Sequence, residues 1–86
     1  MPKKPYNGHE SWNAWNVALW IYNDEGLYNA ALECIRRPRV SGKPVTPSLA
    51  AGRFIVEAVG PGARTPDGAR YSHRSVMLAM RALMED

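Results

Sequence analysis

The chain has 86 residues, of which 45% are apolar and 22% are charged, and its formal net charge is +3. A chain of this length buries only about 60% of its unfolded surface, so we expect one core and one domain, and the composition excludes a disordered tail. Its single cysteine, Cys34, excludes an internal disulfide, and no apolar run reaches the roughly 18 residues of a membrane span, so we expect a cytoplasmic protein.

Three clusters of proline and glycine, at residues 1–8, 37–47 and 60–68, divide the chain. The segments between them have helical periodicity, and strict alternation of apolar and polar residues is absent. The start is basic and lacks the apolar segment of a secretory signal, so we predict a flexible arm over residues 1–10 and a single helical domain over residues 11–86. The predicted fold is all-α, a compact bundle of about four short helices with proline- and glycine-rich loops.

The first predicted helix spans residues 12–22, with Ser11 as its N-cap and Asn23 in the left-handed conformation that ends a helix. At about 100° per residue its apolar side chains form one broad arc, which predicts that most of this helix is buried. The arc holds Trp12, Trp15, Leu19 and Tyr22, widened by Ala14, Val17, Ala18 and Ile21. The remaining stripe holds Asn13, Asn16 and Asn23, with Trp20 in its middle.

A second helix is predicted from the N-cap Asp24 to Arg37, because acids at its start and arginines at its end suit the helix dipole. A single helix kinked near Gly26 is an alternative, and Pro38 ends the element in either case. The predicted inner face comprises Leu27, Tyr28, Ala31, Leu32, Cys34 and Ile35.

Thr46 followed by Pro47 predicts the start of a third helix, and Gly60 with Pro61 predicts its end. Its predicted inner residues are Leu49, Ala51, Ile55, Val56, Ala58 and Val59, with Arg53 and Glu57 facing outward. A fourth helix is predicted over residues 72–84. Its predicted inner residues are Val76, Ala79, Met80 and Leu83.

The charges are unevenly distributed along the chain. Residues 24–35 carry only acidic groups, whereas residues 36–81 carry nine lysines or arginines and two acids. Two basic groups are candidate binding residues: the first is Arg36, Arg37, Arg39 and Lys43, and the second is Arg64, Arg70 and Arg74. If their loops lie side by side, they are suited to bind phosphates; the alternative is a solvated surface that compensates helix dipoles.

The three tryptophans are predicted to have two different roles. Trp12 and Trp15 share the apolar arc, so we expect them to fill the core. Trp20 has asparagines as neighbours on the helix, which predicts partial exposure and a contact patch with Asn13 and Asn16. The alternative is that the second helix or the N-terminal arm covers Trp20.

The sequence offers no recognisable catalytic set. His9 and His73 are far apart and have no carboxylate or thiol at ligand spacing, so we predict no metal site and no cofactor. Cys34 lies on an apolar helix face, where cysteine is usually an inert hydrophobe. Residues 60–68 match no phosphate-binding or dinucleotide motif; we predict a surface turn in which Thr65 or Asp67 caps the following helix.

Three short motifs carry a resemblance to a known family. Residues 6–8 read YNG, residues 15–20 read WNVALW and residues 23–28 read NDEGLY, and TPDG at residues 65–68 is a weaker match. In this pattern the chain resembles a family of short proteins found in bacteriophages and other mobile elements. The resemblance implies a phage context and carries over no catalytic residues.

These observations favour a non-enzymatic phage or mobile-element protein that sterically inhibits a macromolecule in the cytoplasm of its host bacterium. The concrete form is an anti-CRISPR or other counter-defence inhibitor, whose partner is a host protein or a ribonucleoprotein such as a CRISPR effector. The alternative is a small nucleic-acid-binding regulator of transcription, although the loops are too long for a helix-turn-helix. A homodimer closed by an exposed Trp20, Met77 or Met84 is a further option.

Overall fold

The computed structural model describes residues 8–85, and this part of the chain contains four α-helices. They are α1 (Trp12–Asn23), α2 (Glu25–Arg36), α3 (Pro47–Phe54) and α4 (His73–Met84). A π-helical turn, Ile55–Val59, continues α3. Within the described residues, β structure is limited to one isolated antiparallel bridge between Arg64 and Arg70. The all-α prediction is therefore confirmed, while most of the predicted arm lies outside the described residues.

Each helix begins at a residue whose side chain caps it. These residues are Ser11, Asp24, Thr46 and Ser72. Each side-chain oxygen accepts a hydrogen bond from the backbone N–H three residues later, which satisfies a donor that has no partner inside the helix. The caps predicted for the first three helices are confirmed. The prediction that Thr65 or Asp67 caps the fourth helix is wrong, because Ser72 does so.

The chain breaks between α1 and α2 at Asp24. Its extended backbone (φ −96°, ψ 120°) separates the two helices, and its N–H donates to the carbonyl of Trp20. Asn23 is the last helical residue of α1, so the prediction of a left-handed Asn23 is wrong. The alternative of one helix kinked near Gly26 is wrong as well.

The core lies where α4 packs against both α1 and α3, and α2 packs against α1 and α3 at its side. Its largest fully buried apolar side chains are Phe54, Ile21, Met80, Val17 and Val76. Buried alanines fill much of the remainder, and these short side chains let the helices approach closely. The ring of Tyr71, from the loop before α4, completes the core 6.1 Å from the ring of Phe54.

The inner face of α3 departs from the prediction at its carboxyl end. Val56 is 68% exposed and Ala58 is exposed, so the prediction that they are buried is wrong; Phe54, absent from the predicted face, is fully buried. The Gly60 N–H donates to the Ile55 carbonyl at 2.7 Å, a π-helical bond, so the residues between them do not follow the spacing of an α-helix. Gly60, with φ +90°, ends the segment as predicted.

The central residues of α2 and α4 face the core as predicted. They are Ala31 and Cys34 on α2, and Val76, Ala79 and Met80 on α4. Tyr28, predicted to face inward, is 38% exposed instead. No helix within residues 8–85 is both long enough and apolar enough to cross a membrane.

Candidate protein-binding surface

The outward face of α1, defined here as Trp12, Trp15, Leu19 and Trp20, is the largest departure from the prediction. The buried side chains of α1 are Ala14, Asn16, Val17, Ala18 and Ile21. Trp12 is 39% exposed and Leu19 is 38% exposed, and Trp15 is half-buried. Neither Trp12 nor Trp15 belongs to the core, so the prediction that they fill it is wrong: the smaller side chains of α1 face inward and allow close packing against α4.

Trp20 lies at the edge of this outward face, and its predicted partial exposure is confirmed. Its indole N–H donates to Oδ2 of Asp67 over 2.9 Å, and the Asn16 amide donates to the same oxygen over 2.9 Å. Because the Asn16 amide and the Trp20 indole both stabilise the ionised carboxylate, the pKa of Asp67 lies below its usual value. The loop before α4 therefore fixes the position of Trp20.

Asn16 lies beneath this loop. Its side chain is 1% exposed, and its Oδ1 accepts a hydrogen bond from the Thr65 hydroxyl at 2.6 Å. The same hydroxyl accepts a bond from the backbone N–H of Ala69 at 3.0 Å. The prediction that Asn16 belongs to an exposed patch is therefore wrong, because residues 65–69 cover it.

Asn13 joins α1 to the loop and to α4. Its amide nitrogen donates to the Arg70 carbonyl at 2.8 Å and to the Ser75 hydroxyl at 2.7 Å, and its oxygen accepts from the Arg70 N–H at 2.9 Å. The side chain is half-buried. Asn13 borders the outward face, but it uses its amide inside the fold, so of the predicted patch only the partly exposed Trp20 is left as a candidate for contact with a partner.

The first basic group lies at the carboxyl end of α2 and in the loop that follows. Arg37 forms a bidentate ion pair with Glu57 at 2.8 and 2.6 Å, which raises the pKa of Arg37 and lowers that of Glu57. Arg39 donates to the carbonyl of Pro44 at 3.4 Å. Arg36 and Lys43 are exposed. The ion pair ties this group to the π-helical turn.

Arg53 was expected to face the solvent and instead closes the carboxyl end of α2. Its guanidinium donates to the carbonyls of Cys34 at 3.0 Å, Arg37 at 2.6 Å and Pro38 at 3.3 Å. Carbonyls at a helix end have no partner within the helix, so Arg53 satisfies them in place of water. Sequence reasoning missed this role because residues 34–38 and Arg53 become neighbours only in the folded chain.

The second basic group lies in the loop before α4 and in the first turn of that helix. Arg74 forms a bidentate ion pair with Glu10 at 3.0 and 2.7 Å. Arg64 donates to the carbonyl of Gly68 at 3.0 Å, and Arg70 is exposed. The ion pair of this group joins α4 to the segment before α1, whereas that of the first group joins the end of α2 to the π-helical turn after α3.

Cys34 and His73 have structural positions. Cys34 is buried, and this burial raises the pKa of its thiol, which keeps it protonated. Nε2 of His73 lies 3.0 Å from the Ser48 carbonyl and 3.3 Å from its hydroxyl, which links the first turns of α3 and α4. Among residues 8–85, no group of three or more His, Cys, Asp or Glu side chains is placed to hold a metal ion.

The outward face of α1 ends in a shallow groove at the carboxyl end of the helix. The groove is lined by Leu19, Trp20, Asn23 and Asp24, and its volume is about 260 Å³. That volume is below the roughly 300 to 1,000 Å³ of small-molecule pockets and suits a single side chain. An exposed helix face that carries tryptophans and no charged residues, next to such a groove, is typical of a protein interface.

Comparison with known proteins places the chain in a family. No curated protein and no solved structure matches it. A family model described as a family of unknown function, DUF7249, matches residues 2–86, nearly the whole chain. The chain therefore belongs to the DUF7249 family of unknown function.

Proposed function

We propose that the protein binds a host macromolecule through the outward face of α1 and inhibits it sterically, without catalysing a reaction. One observation carries the proposal: a helix without charged residues turns Trp12 and Leu19, each more than one-third exposed, toward the solvent. Removing apolar surface from water favours association, and tryptophan is enriched among the residues that dominate binding energies.

The bonds around the outward face support the proposal because they hold it in one conformation before binding. Trp20 is fixed by its hydrogen bond to Asp67, and Asn13 ties the helix to the loop before α4. Ser11 caps the amino end of α1. A surface that is already ordered loses less conformational entropy on association, so more of the contact energy appears as affinity.

The resemblance of the YNG, WNVALW and NDEGLY motifs to those of phage and mobile-element proteins supports the biological context of the proposal. On this basis we propose a counter-defence inhibitor, an anti-CRISPR protein in its most concrete form, that acts in the cytoplasm of the host bacterium. Its partner is a host protein or ribonucleoprotein, and inhibition follows from covering a surface that the partner needs. This mechanism requires shape and apolar contact and no catalytic side chain.

A nucleic-acid-binding regulator is the second proposal, and exposed basic side chains favour it. Arg36, Lys43 and Arg70 are exposed and lie outside the two ion pairs between residues 8–85. The ion pairs weaken this proposal, because Arg37 and Arg74 each face a glutamate that neutralises the charge a phosphate would need.

The experiment is affinity capture of the tagged protein from host lysate, with and without nuclease, for the original chain and two variants. Leu19→Glu places a charge on the outward face, and Val40→Glu makes the same kind of change at a fully exposed loop position. We expect a stoichiometric partner that survives nuclease, is lost with Leu19→Glu and is kept with Val40→Glu, while circular dichroism shows that both variants fold. Equal capture by both variants contradicts the proposal, and recovery of nucleic acid alone favours the regulator.

A further inference from the structure

The groove at the carboxyl end of α1 combines an apolar wall, an aromatic ring and a carboxylate. Two of its four lining residues, Leu19 and Trp20, are apolar, and the other two, Asn23 and Asp24, are polar. We propose that this groove receives a lysine or arginine side chain of the partner protein, with the aliphatic stem against Leu19 and Trp20 and the cation at the Asp24 carboxylate. The inference rests on the proposed function, since it names the chemistry that the outward face of α1 recognises.

The two types of contact suit this side chain better than a purely apolar one. Lysine and arginine bury their methylene stems on apolar surface while their charged ends stay near water or a counter-ion. Tryptophan is the aromatic ring that attracts cations most strongly. Of the four residues that line the groove, Asp24 carries the charge, so the polar side of the groove is negative.

The carboxylates around the groove outweigh the positive helix end beside it. Oδ1 of Asp24 accepts the Leu27 N–H at 2.9 Å and caps α2. Within residues 8–85, Oδ2 of Asp24 accepts no hydrogen bond of its own and is available to a cation. The amino end of α2 carries only about half a positive charge, whereas Asp24 and the adjacent Glu25 carry a full negative charge each. Asp67, bonded to Trp20, adds a third carboxylate nearby.

The last turn of α1 also lacks the basic residue that the last turns of the other helices contain. The last turns of α2, α3 and α4 contain Arg36, Arg53 and Arg81, respectively. The last turn of α1 contains no basic residue. A cation near a helix carboxyl end is favourable because it faces the negative end of the dipole, so a partner's lysine or arginine would be stabilised at the end of α1.

The same charges argue against a second copy of this chain as the occupant. In a two-fold contact the same surface meets itself, so a contact centred on this groove would bring Asp24 and Asp67 of both chains together. Like charges across an interface are unfavourable. A partner segment that presents lysine or arginine has the complementary charge.

The first test uses a small probe and needs no identified partner. The probe is Nα-acetyl-arginine amide, and its matched control is the citrulline derivative, which has nearly the same shape but no charge. Binding is followed by NMR at the indole N–H resonances of a ¹⁵N-labelled protein, assigned with Trp→Phe variants. We expect the Trp20 resonance to shift saturably and the citrulline derivative to bind about three- to tenfold more weakly, as the size of exposed ion-pair and cation–π contacts predicts.

Two variants assign the binding to Asp24. Asp24→Asn removes the charge and keeps a good N-cap, since asparagine caps helices as well as aspartate. We expect this variant to bind the arginine derivative more weakly and to discriminate less between the two derivatives, with the remaining preference due to Trp20 and the neighbouring carboxylates. Glu25→Gln removes the neighbouring charge, which does not line the groove, and we expect a smaller loss of arginine affinity than with Asp24→Asn.

Several results would overturn the inference. They are a Trp20 resonance that does not move with the arginine derivative, equal binding of both derivatives by the original chain, and unchanged arginine affinity in Asp24→Asn. Sedimentation experiments could also show a concentration-dependent dimer that Leu19→Glu abolishes. A second copy of the chain would then occupy the outward face of α1, and this too would overturn the inference. If partner capture still depends on Leu19 in these cases, the proposed function stands and only the inference fails. If the probe binds as expected but capture is independent of Leu19, the proposed function fails instead.

Discussion

At the scale of single residues, Asp67 connects the loop before α4 to α1. One of its oxygens accepts hydrogen bonds from both the Asn16 amide and the Trp20 indole. These donors favour the ionised carboxylate, so its pKa is lower in the folded chain than the usual value of 3.8. The native state therefore holds its proton less tightly than the unfolded state, and the stability that Asp67 contributes is complete above the unfolded pKa and is lost as the pH falls through the folded pKa.

The corresponding prediction is a pH dependence that Asp67→Asn removes. We expect the free energy of urea unfolding to be higher for the original chain than for the variant at pH 5 to 7, and the difference to shrink as the pH falls below about 4. Trp20→Phe, which removes one of the two donors, should weaken the same dependence in part. The measurement is urea unfolding followed by circular dichroism at a series of pH values. A constant difference between the original chain and Asp67→Asn from pH 7 to pH 2.5 would contradict this account.

The sequence predicts the exposure of a side chain correctly where neighbours on the same helix determine it. The prediction is wrong where a distant segment of the chain covers the residue or packs against the helix. The partial exposure of Trp20 follows from its neighbours along α1. Asn16 has a similar position on the helix, yet the loop at residues 65–69 covers it, and nothing within α1 signals that loop. The predicted burial of Trp12 is wrong because the arc of eight apolar residues is so wide that either half of it could face the core. The choice depends on the close packing of α1 against α4.

At the scale of secondary structure, local signals located the helices well. The capping residues Ser11, Asp24 and Thr46 are readable from the sequence because each acts on N–H groups three residues away. The π-helical turn after Phe54 was not predicted, and every inner-face assignment beyond it depended on α-helical spacing. The carboxyl end of α2 depends on Arg53, which is distant in sequence, so its stabilisation appears only in the folded chain.

Arg53 provides the prediction at this scale. Arg53→Met keeps much of the aliphatic stem but leaves the carbonyls of Cys34 and Arg37 without their charged donor, so we expect a loss of about 1 to 3 kcal/mol in unfolding free energy. Arg53→Lys should recover only part of this loss, because one ammonium group does not reproduce the fork of a guanidinium. Urea unfolding monitored by circular dichroism measures both.

Arg36→Met is the matched control for this prediction. Arg36 is an exposed arginine in the last turn of α2, and its replacement should change the unfolding free energy by no more than about 0.5 kcal/mol. Equal effects of the methionine replacements at positions 36 and 53 would show that Arg53 acts as a general surface charge and that its bonds to the end of α2 are unimportant.

At the scale of the whole molecule, a few large side chains must join all the elements, because alanines make up much of the core. Phe54 is fully buried at the junction of α3 and the π-helical turn, and its ring packs near Tyr71 from the loop before α4. A chain of 86 residues has a total stability of about 4 to 13 kcal/mol. The contacts of one such residue are therefore a large part of what keeps the domain folded.

We predict that Phe54→Ala costs about 3 to 5 kcal/mol of unfolding free energy, and that Phe54→Leu, which fills more of the space, costs less and remains folded if the alanine variant does not. Val56→Ala, at a site two residues away that is 68% exposed, should stay within about 0.5 kcal/mol of the original chain.

All three tryptophans lie on α1, so their fluorescence reports on that helix, while far-UV circular dichroism reports on all four. Because one core joins the helices, both signals should give the same urea midpoint for each variant. Separate midpoints, with α1 unfolding before the other helices, would contradict the single cooperative domain.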